Sequence, residues 1–212
     1  SISYRPKVEA LGLGFRPLRP DLRDVEGVPG LMARAMDLNT GSKVIVTEIA
    51  MPALRASYED TLGAAEGADL LVSHALTYAT PLVAELKGLP WASVMLSPIG
   101  FFSADDPPVL PAVQLGGFRW MGADIHRGLF ALLKWTVRHW AEPCRRLRAE
   151  LGLPPAGDPV FEGQHSPRLV LAMFSGLLAA KQPDWPRQAV VTGFPFLDQA
   201  CGLPPGLAEF LD

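Results

Sequence analysis

The chain has 212 residues, of which 49% are hydrophobic and only 19% are charged, with a net charge of −3. This length allows one large domain or two small ones, and it is sufficient for a buried core. The weak acidic charge argues against a nucleic-acid partner, for which a concentrated basic surface is expected. The low charged fraction fits a sheet covered on both faces, whose strands need little polar surface.

Cysteine content and hydropathy indicate the cellular compartment. The two cysteines form no CxxC pair, and nothing else in the sequence indicates a disulfide framework. The longest uncharged runs are too short for a bilayer span and contain proline. We therefore expect a cytoplasmic location.

The N-terminal part of the chain, up to Gly67, is predicted to be mainly helical. Helices are expected over residues 4–11 and 30–67, because apolar side chains recur there at helical spacing. Short strands are expected at residues 1–3 and 14–18. A polar loop rich in Asp, Pro and Gly separates the two helical parts.

Residues 68–98 carry the clearest fold signal. The apolar run at 70–72 is short enough for a buried strand, and 91–96 is a second strand of the same kind. Between them, a helix-like segment at 81–87 is followed by Gly88 in the position of a helix C′ residue. This βαβ unit predicts parallel strands, a right-handed crossover and an α/β fold, with a Rossmann-like, mostly parallel sheet and helices on both faces.

The carboxyl ends of these two strands are the predicted functional edge, because ligands of open parallel sheets lie beyond the strand ends. Ser73 and His74 break the first apolar run, and Ser97 and Pro98 follow the second. An imidazole with a pKa of about 6.5 can act as an acid or a base. Alternatively, His74 is a loop histidine that bonds to the backbone.

An aromatic segment, residues 99–121, follows the second strand. Its prolines and paired glycines exclude any long regular element. It nevertheless carries several large aromatic side chains: Phe101, Phe102, Phe118 and Trp120. The segment either folds back on the core or lines an apolar pocket.

The C-terminal half combines a long helix with further strands. Apolar residues at 130–151 recur in steps of three and four, which predicts an amphipathic helix kinked at Pro143. Its outer face is basic, and acidic residues interrupt it, which favours a solvated surface over a phosphate or lipid site. Buried strands are expected at 168–174 and 189–193.

Several site motifs are missing. The sequence has no GxSxG elbow and no GxxxxGK[ST] loop, and Gly12-Leu13-Gly14 lacks the third glycine of a dinucleotide fingerprint. The four histidines lack metal-ligand spacing, and His139 and His165 are interpreted as structural or surface residues. These absences argue against hydrolytic, P-loop and redox enzymes.

The chain resembles bacterial members of the UDP-glycosyltransferase superfamily, which are inverting enzymes of the GT-B fold. The main match is ADLLVSHALTYATPLVAELKGLPWASVMLSP at residues 68–98, supported by residues 7–13 near the start. Near the end it rests on 182–186 and 191–194. The last two segments are specific to the branch that glycosylates sterols, lipids, macrolides and related natural products.

The resemblance implies a domain organisation. Residues 1–196 would form the acceptor-binding domain without its first strand, loop and helix, in which the family's usual catalytic base lies. Residues 197–212 would be a linker towards a nucleotide-sugar-binding domain. Because neither the base nor the donor site would then be present, we expect these 212 residues alone to be inactive.

The resemblance also implies the site. The acceptor-binding residues would be His74, Thr77, Ser97, Pro98, Phe101, Phe102, Trp120 and Met121, and His74 is the one catalytic candidate. Several relatives place an Asp after this strand to orient the base histidine, and an imidazole cannot replace that charge. Either His74 has a different role, such as binding the acceptor, or the match is displaced by one residue.

The implied reaction transfers a sugar from a UDP- or TDP-sugar to a hydroxyl of a hydrophobic small molecule, with inversion. The nucleotide-sugar would be bound mainly by the other domain, and no metal or other cofactor is expected. No nucleic-acid partner is expected, and an apolar acceptor is compatible with peripheral membrane association. The alternative function is a non-catalytic α/β ligand-binding module.

Overall fold

In a computed structural model of the protein, the described residues are 1–109, 120–196, 206–207 and 210. Most of the predicted linker at 197–212, and Phe118 of the aromatic segment, lie outside these ranges. The remaining predictions can be compared with the structure.

Four parallel strands form one sheet in the order β1-β2-β3-β4. They are β1 (Leu71–His74), β2 (Trp91–Met95), β3 (Leu169–Ala172) and β4 (Ala189–Val191). The α/β fold with a parallel sheet is thus confirmed, as is the βαβ unit. The strand β1 continues through His74, so the prediction that Ser73 and His74 break it is wrong, because both residues pair with β2.

The structure gives the bounds of eight α-helices and of five shorter turns of 3-10 or π helix. The α-helices are α1 (Arg5–Ala10), α2 (Leu22–Glu26), α3 (Leu31–Ala35), α4 (Gly41–Val44), α5 (Leu54–Ala64), α6 (Ala79–Lys87), α7 (Ala123–Val137) and α8 (Glu142–Glu150). The short turns are Ile2–Tyr4, Ile45–Ala50, Pro98–Phe101, Arg138–Ala141 and Glu162–Gln164.

The helix α6 follows its sequence signals closely. Gly88 adopts a left-handed conformation, with φ of 65°, and ends the helix as predicted. The N–H of Leu89 then donates to the carbonyl of Ala84 at 2.8 Å, which closes the C-terminal turn. Leu82 and Val83 are fully or almost fully buried, so this helix is anchored to the core by its middle turn.

One face of the sheet is covered by helices. Side chains of β1 to β4 that share this face include Leu71, Met95 and Val170, which pack into two apolar clusters with α5, α6, α8 and the chain after β3. The opposite face carries Val72, which is 60% exposed, and Val190, which is 49% exposed. Both of these residues lie on the edge strands, whereas Ala92, on the same face of β2, is 4% exposed.

Three local predictions are wrong. Residues 1–3 enter a 3-10 turn instead of ending a strand, because the N–H of Tyr4 donates to the Ser1 carbonyl at 3.0 Å. Residues 14–18 have no regular structure and no strand partner. The long helix is interrupted before Pro143, at the 3-10 turn Arg138–Ala141, because proline fits only the first turn of the new helix α8.

Candidate functional site

Two cavities flank the carboxyl ends of the strands. The strand-end cavity, of about 280 Å³, lies between the end of β1, the first turn of α6 and the helix α8. The aromatic cavity, of about 440 Å³, lies between the segment after β2, the helix α7 and residues 161–165. The short turn Glu162–Gln164 separates them, because Gln164 lines the first cavity and Glu162 lines the second.

A tight turn fixes His74 at the wall of the strand-end cavity. The His74 carbonyl accepts hydrogen bonds from the N–H of Thr77 at 2.9 Å and from its hydroxyl at 2.5 Å. The Nδ1 atom accepts the N–H of Leu76 at 3.3 Å. Partial desolvation lowers the pKa of His74, so the ring is neutral near pH 7. In this arrangement Nε2 carries the proton and is a donor.

Three further polar side chains in this wall are deeply buried. The residues Ser73, Tyr78 and Gln164 are 5%, 7% and 9% exposed, and the structure shows no hydrogen bond from their side chains within the described residues. Their polar atoms are still accessible, because the buried side-chain atoms without a partner in these ranges are Nε2 of His165 and Nε1 of Trp185. Burial raises the pKa of Tyr78 to about 12 and that of the neighbouring Cys144 thiol to about 11. Both groups are therefore uncharged at neutral pH.

The rest of the strand-end cavity is apolar, with two arginines in its lining. The apolar part includes Pro81, Leu82, Leu153, Pro155 and Pro159. Arg148 donates to both carboxylate oxygens of Glu85 at 2.6 Å. Arg145 pairs with Glu142 and with Asp158. Both guanidinium groups are thus neutralised within the protein.

Phe101 forms the floor of the aromatic cavity. Its ring stacks on Trp185 at a centroid distance of 4.0 Å and on His165 at 5.4 Å. Gly100 lies so close to β2 that a Cβ there would be 2.1 Å from Cε of Met95. The sequence left open whether the aromatic segment folds back on the core or lines a pocket. Phe101 does both, since it belongs to the core cluster and lines the cavity.

Phe102 forms a side wall of the same cavity. It packs edge-on against Phe161 at 5.0 Å and against Phe130 at 6.2 Å. Its backbone has a φ of 46°, in the left-handed region that phenylalanine rarely adopts. Such conformations cluster at ligand-binding sites, where the surrounding structure holds them.

Most polar groups at the aromatic cavity have partners. The Asp184 carboxylate accepts the Ser103 hydroxyl at 2.7 Å and the N–H of Ala104 at 2.6 Å. Lys134 pairs with Glu162. In contrast, Nε2 of His165 is buried without a hydrogen-bond partner, and desolvation lowers the pKa of this histidine.

The predicted site residues do not all lie in one cavity. His74 and Thr77 line the strand-end cavity, and Phe101 and Phe102 line the aromatic cavity. The other four line neither of these cavities: Ser97, Pro98, Trp120 and Met121. Of these, Trp120 is 80% exposed.

The cavity-wall residues that sequence reasoning missed include Tyr78, Gln164, Phe130 and Phe161. Tyr78 has a usable signal, since it follows the end of β1 by four residues. Gln164 and Phe161 have none, because only the tertiary fold brings their segment to the sheet edge.

Neither a metal site nor a membrane-spanning helix is found in the described ranges. No group of three His, Cys, Asp or Glu side chains in them is arranged to hold a metal ion. None of the helices in these ranges is long and apolar enough to cross a membrane.

The chain is similar in sequence to a curated enzyme. The O-mycaminosyltylonolide 6-deoxyallosyltransferase of Streptomyces fradiae is 29% identical over 227 residues, which cover 99% of this chain and 50% of the relative. The chain thus spans about half the length of this curated relative. A solved structure of SsfS6, a glycosyltransferase from Streptomyces sp. SF2575, is 20% identical, covers 82% of this chain and 40% of that one, and has a TM-score of 0.42. No family model matches the chain.

Proposed function

We propose that this chain belongs to the UDP-glycosyltransferase superfamily and forms the acceptor-binding part of an enzyme that glycosylates a hydrophobic natural product. The observation that carries the proposal is the sequence similarity, which extends over 99% of the chain to an enzyme named for transfer of a 6-deoxyallosyl group to O-mycaminosyltylonolide. By analogy we propose a hexosyl or deoxyhexosyl group from a UDP- or TDP-sugar as the group transferred.

The aromatic cavity is the proposed acceptor site. Its rings, from Phe101, Phe102, Phe130 and Phe161, offer apolar surface to an aglycone. Burial of apolar surface contributes roughly 25 cal/mol per Å², so aromatic walls favour a hydrophobic acceptor over a free sugar. Its volume of about 440 Å³ is in the range of small-molecule sites.

The proposed reaction is a single in-line displacement. The acceptor hydroxyl oxygen forms a bond to the anomeric carbon while the bond from that carbon to the diphosphate oxygen breaks. The nucleoside diphosphate leaves with the electron pair, and a general base takes the hydroxyl proton. The nucleotide-sugar enters as a substrate bound mainly outside this chain, and we propose no metal or other cofactor. A cytoplasmic location remains a prediction.

For His74 we propose a role as a contact. Its Nδ1 accepts a backbone N–H at 3.3 Å, which leaves Nε2–H as a donor. A base needs a free lone pair, and at Nε2 this would require a proton on Nδ1, facing the N–H of Leu76. The geometry therefore supports hydrogen bonding to a ligand better than proton abstraction.

Sugar transfer by the complete protein encoded by the gene tests the proposal. UDP- and TDP-hexoses and 6-deoxyhexoses would be supplied with a panel of macrolide, sterol and phenolic acceptors, with product detection by mass spectrometry. We expect transfer to at least one apolar acceptor. Phe102→Ala is expected to raise the KM for the acceptor about tenfold, with little change in the KM for the donor.

A matched control and a contrary outcome complete the test. Trp135 is 63% exposed on α7 and lines neither cavity, so Trp135→Ala should leave both KM values unchanged. Acceptor binding without transfer or donor hydrolysis, for every donor tried, would instead support the non-catalytic ligand-binding module.

A further inference from the structure

Three buried polar side chains converge on the strand-end cavity from separate parts of the chain. Ser73 is at the end of β1, Tyr78 precedes α6, and Gln164 ends the turn that separates the two cavities. Each is at least nine-tenths buried, and the structure gives none of these side chains a hydrogen-bond partner within the described residues. Their polar atoms are not among the buried atoms without a partner, so the hydroxyl and amide groups remain accessible for a hydrogen bond to a molecule in the cavity.

The unpartnered groups face a space large enough for more than a single water molecule. The cavity has a volume of about 280 Å³, near the lower limit of small-molecule sites. Its apolar residues, such as Leu82 and Leu153, would hold a hydrocarbon ring or chain. A few convergent polar groups in an apolar cavity are typical of a ligand site.

The charges around the cavity define what kind of ligand fits. Arg148 is paired with Glu85, and Arg145 with Glu142 and Asp158, so no unpaired charge among them is offered to a ligand. The hydroxyls of Ser73 and Tyr78 and the amide of Gln164 are uncharged donors and acceptors. His74 adds a further donor at Nε2.

We propose that the strand-end cavity binds a small uncharged molecule with an apolar ring or chain and two or three hydroxyl or carbonyl oxygens. Tyr78 and Gln164 determine its specificity through hydrogen bonds to those oxygens, and Ser73 contributes a third. This site is separate from the aromatic cavity, and its occupation does not depend on whether the protein transfers sugar.

A direct binding experiment with simple probes tests this site. The probes are trans-cyclohexane-1,2-diol, cyclohexanone and, as an anionic comparison, cyclohexanecarboxylate. Their dissociation constants would be measured on the isotope-labelled protein from amide chemical-shift changes in NMR spectra. We expect the diol to bind best, with shifts at residues 73–78 and 163–164, and the carboxylate to bind at least tenfold more weakly.

Two variants and a matched control locate the hydrogen bonds. Tyr78→Phe and Gln164→Leu are each expected to raise the dissociation constant for the diol about five- to tenfold, which is typical of one lost hydrogen bond. Tyr58 is equally buried, at 8% exposure, but does not line the cavity, so Tyr58→Phe should leave binding unchanged. The amide spectra of all variants report whether they remain folded.

Three outcomes would overturn the proposal. The first is no binding of the diol or the ketone to the folded wild-type protein, which would indicate a cavity that holds only water. The second is binding that neither Tyr78→Phe nor Gln164→Leu weakens. The third is tighter binding of the carboxylate. Because sugar transfer is not measured, none of these outcomes bears on the glycosyltransferase assignment.

Discussion

The two cavities share the wall Glu162–Gln164 but differ in the polar groups that have no hydrogen-bond partner. At the aromatic cavity, Asp184 and Lys134 are held by neighbouring side chains or backbone, and phenylalanine rings supply the surface. At the strand-end cavity the charged groups are also paired, and the accessible hydroxyl and amide groups of Ser73, Tyr78 and Gln164 have no partner. At the aromatic cavity the group without a partner is Nε2 of His165, which is buried.

This difference indicates two kinds of recognition within one sheet edge. A wall of rings selects ligands by shape and apolar area and tolerates chemical variety. Unpartnered buried polar groups discriminate more strongly, because a ligand that lacks the matching oxygen leaves them unsatisfied. We therefore expect broad acceptor tolerance at the aromatic cavity and narrow selectivity at the strand-end cavity.

The largest expected effect is on stability, from removal of the ring that forms the aromatic floor. Phe101→Ala deletes a side chain that is 8% exposed and stacks on Trp185 and His165. We expect a loss of about 3–5 kcal/mol in the free energy of unfolding, measured by urea denaturation. A loss below about 1 kcal/mol would mean that this ring belongs to a movable ligand wall and not to the core.

The next largest expected effect is also on stability. It compares two buried serines, one whose hydroxyl is hydrogen-bonded and one whose hydroxyl has no partner. The Ser166 hydroxyl donates to the Trp91 carbonyl at 2.5 Å and accepts the N–H groups of Arg168 and Leu169. Ser166→Ala is therefore expected to cost about 1–3 kcal/mol of stability. Ser73→Ala, which removes a hydroxyl without a partner, should change stability by less than about 0.5 kcal/mol.

Urea denaturation of the two alanine variants tests whether the Ser73 hydroxyl lacks a hydrogen-bond partner. Equal losses for the two alanine variants would mean that Ser73 has a bonding partner in solution. The comparison between the cavities would then fail on this point.

The smallest effect is a pH dependence that comes from the aromatic cavity. Desolvation lowers the pKa of His165, so the unfolded chain takes up a proton at a higher pH than the folded protein does. Stability should therefore fall as the pH decreases through about 6.5, the ordinary histidine value. Desolvation also lowers the pKa of His74, which adds a change of the same sign.

Urea titrations between pH 7.5 and 5 measure this dependence. His165→Phe, which keeps a ring on Phe101, should make the loss of unfolding free energy at low pH smaller. Adding His74→Gln should reduce the remaining loss further. A decrease of the same size in the His165→Phe protein would assign the pH dependence to other groups.

The sequence predicted the sheet well because its signals are local. The apolar run before Ser73, the helix-stopping Gly88 and the strand from Trp91 each depend on neighbouring residues, and the structure confirms the βαβ unit they predict. A local rule also gave the position of His74, which lies at the carboxyl end of β1 and lines a cavity, whereas its role there stays a prediction.

What the sequence did not predict depends on distant contacts. The division into two cavities is made by Glu162–Gln164, a segment about ninety residues after β1 that no periodicity connects to it. Helical periodicity likewise continues through Arg138–Ala141, although the α-helix is interrupted there ahead of Pro143. Val72 and Val190 are exposed although their strands are apolar, and both lie on edge strands of the sheet, which the sequence alone did not identify.

The close approach of Gly100 to Met95 has a consequence for engineering the acceptor site. Any side chain added at position 100 must displace the Met95 thioether from beneath the aromatic floor. The atom in the way is the methyl carbon at the end of the flexible Met95 side chain, so a small residue at position 100 requires only that this methyl group moves. If positions 95 and 100 are varied together, a shorter residue at 95 leaves room for a side chain at 100. The shape of the aromatic cavity can then be changed.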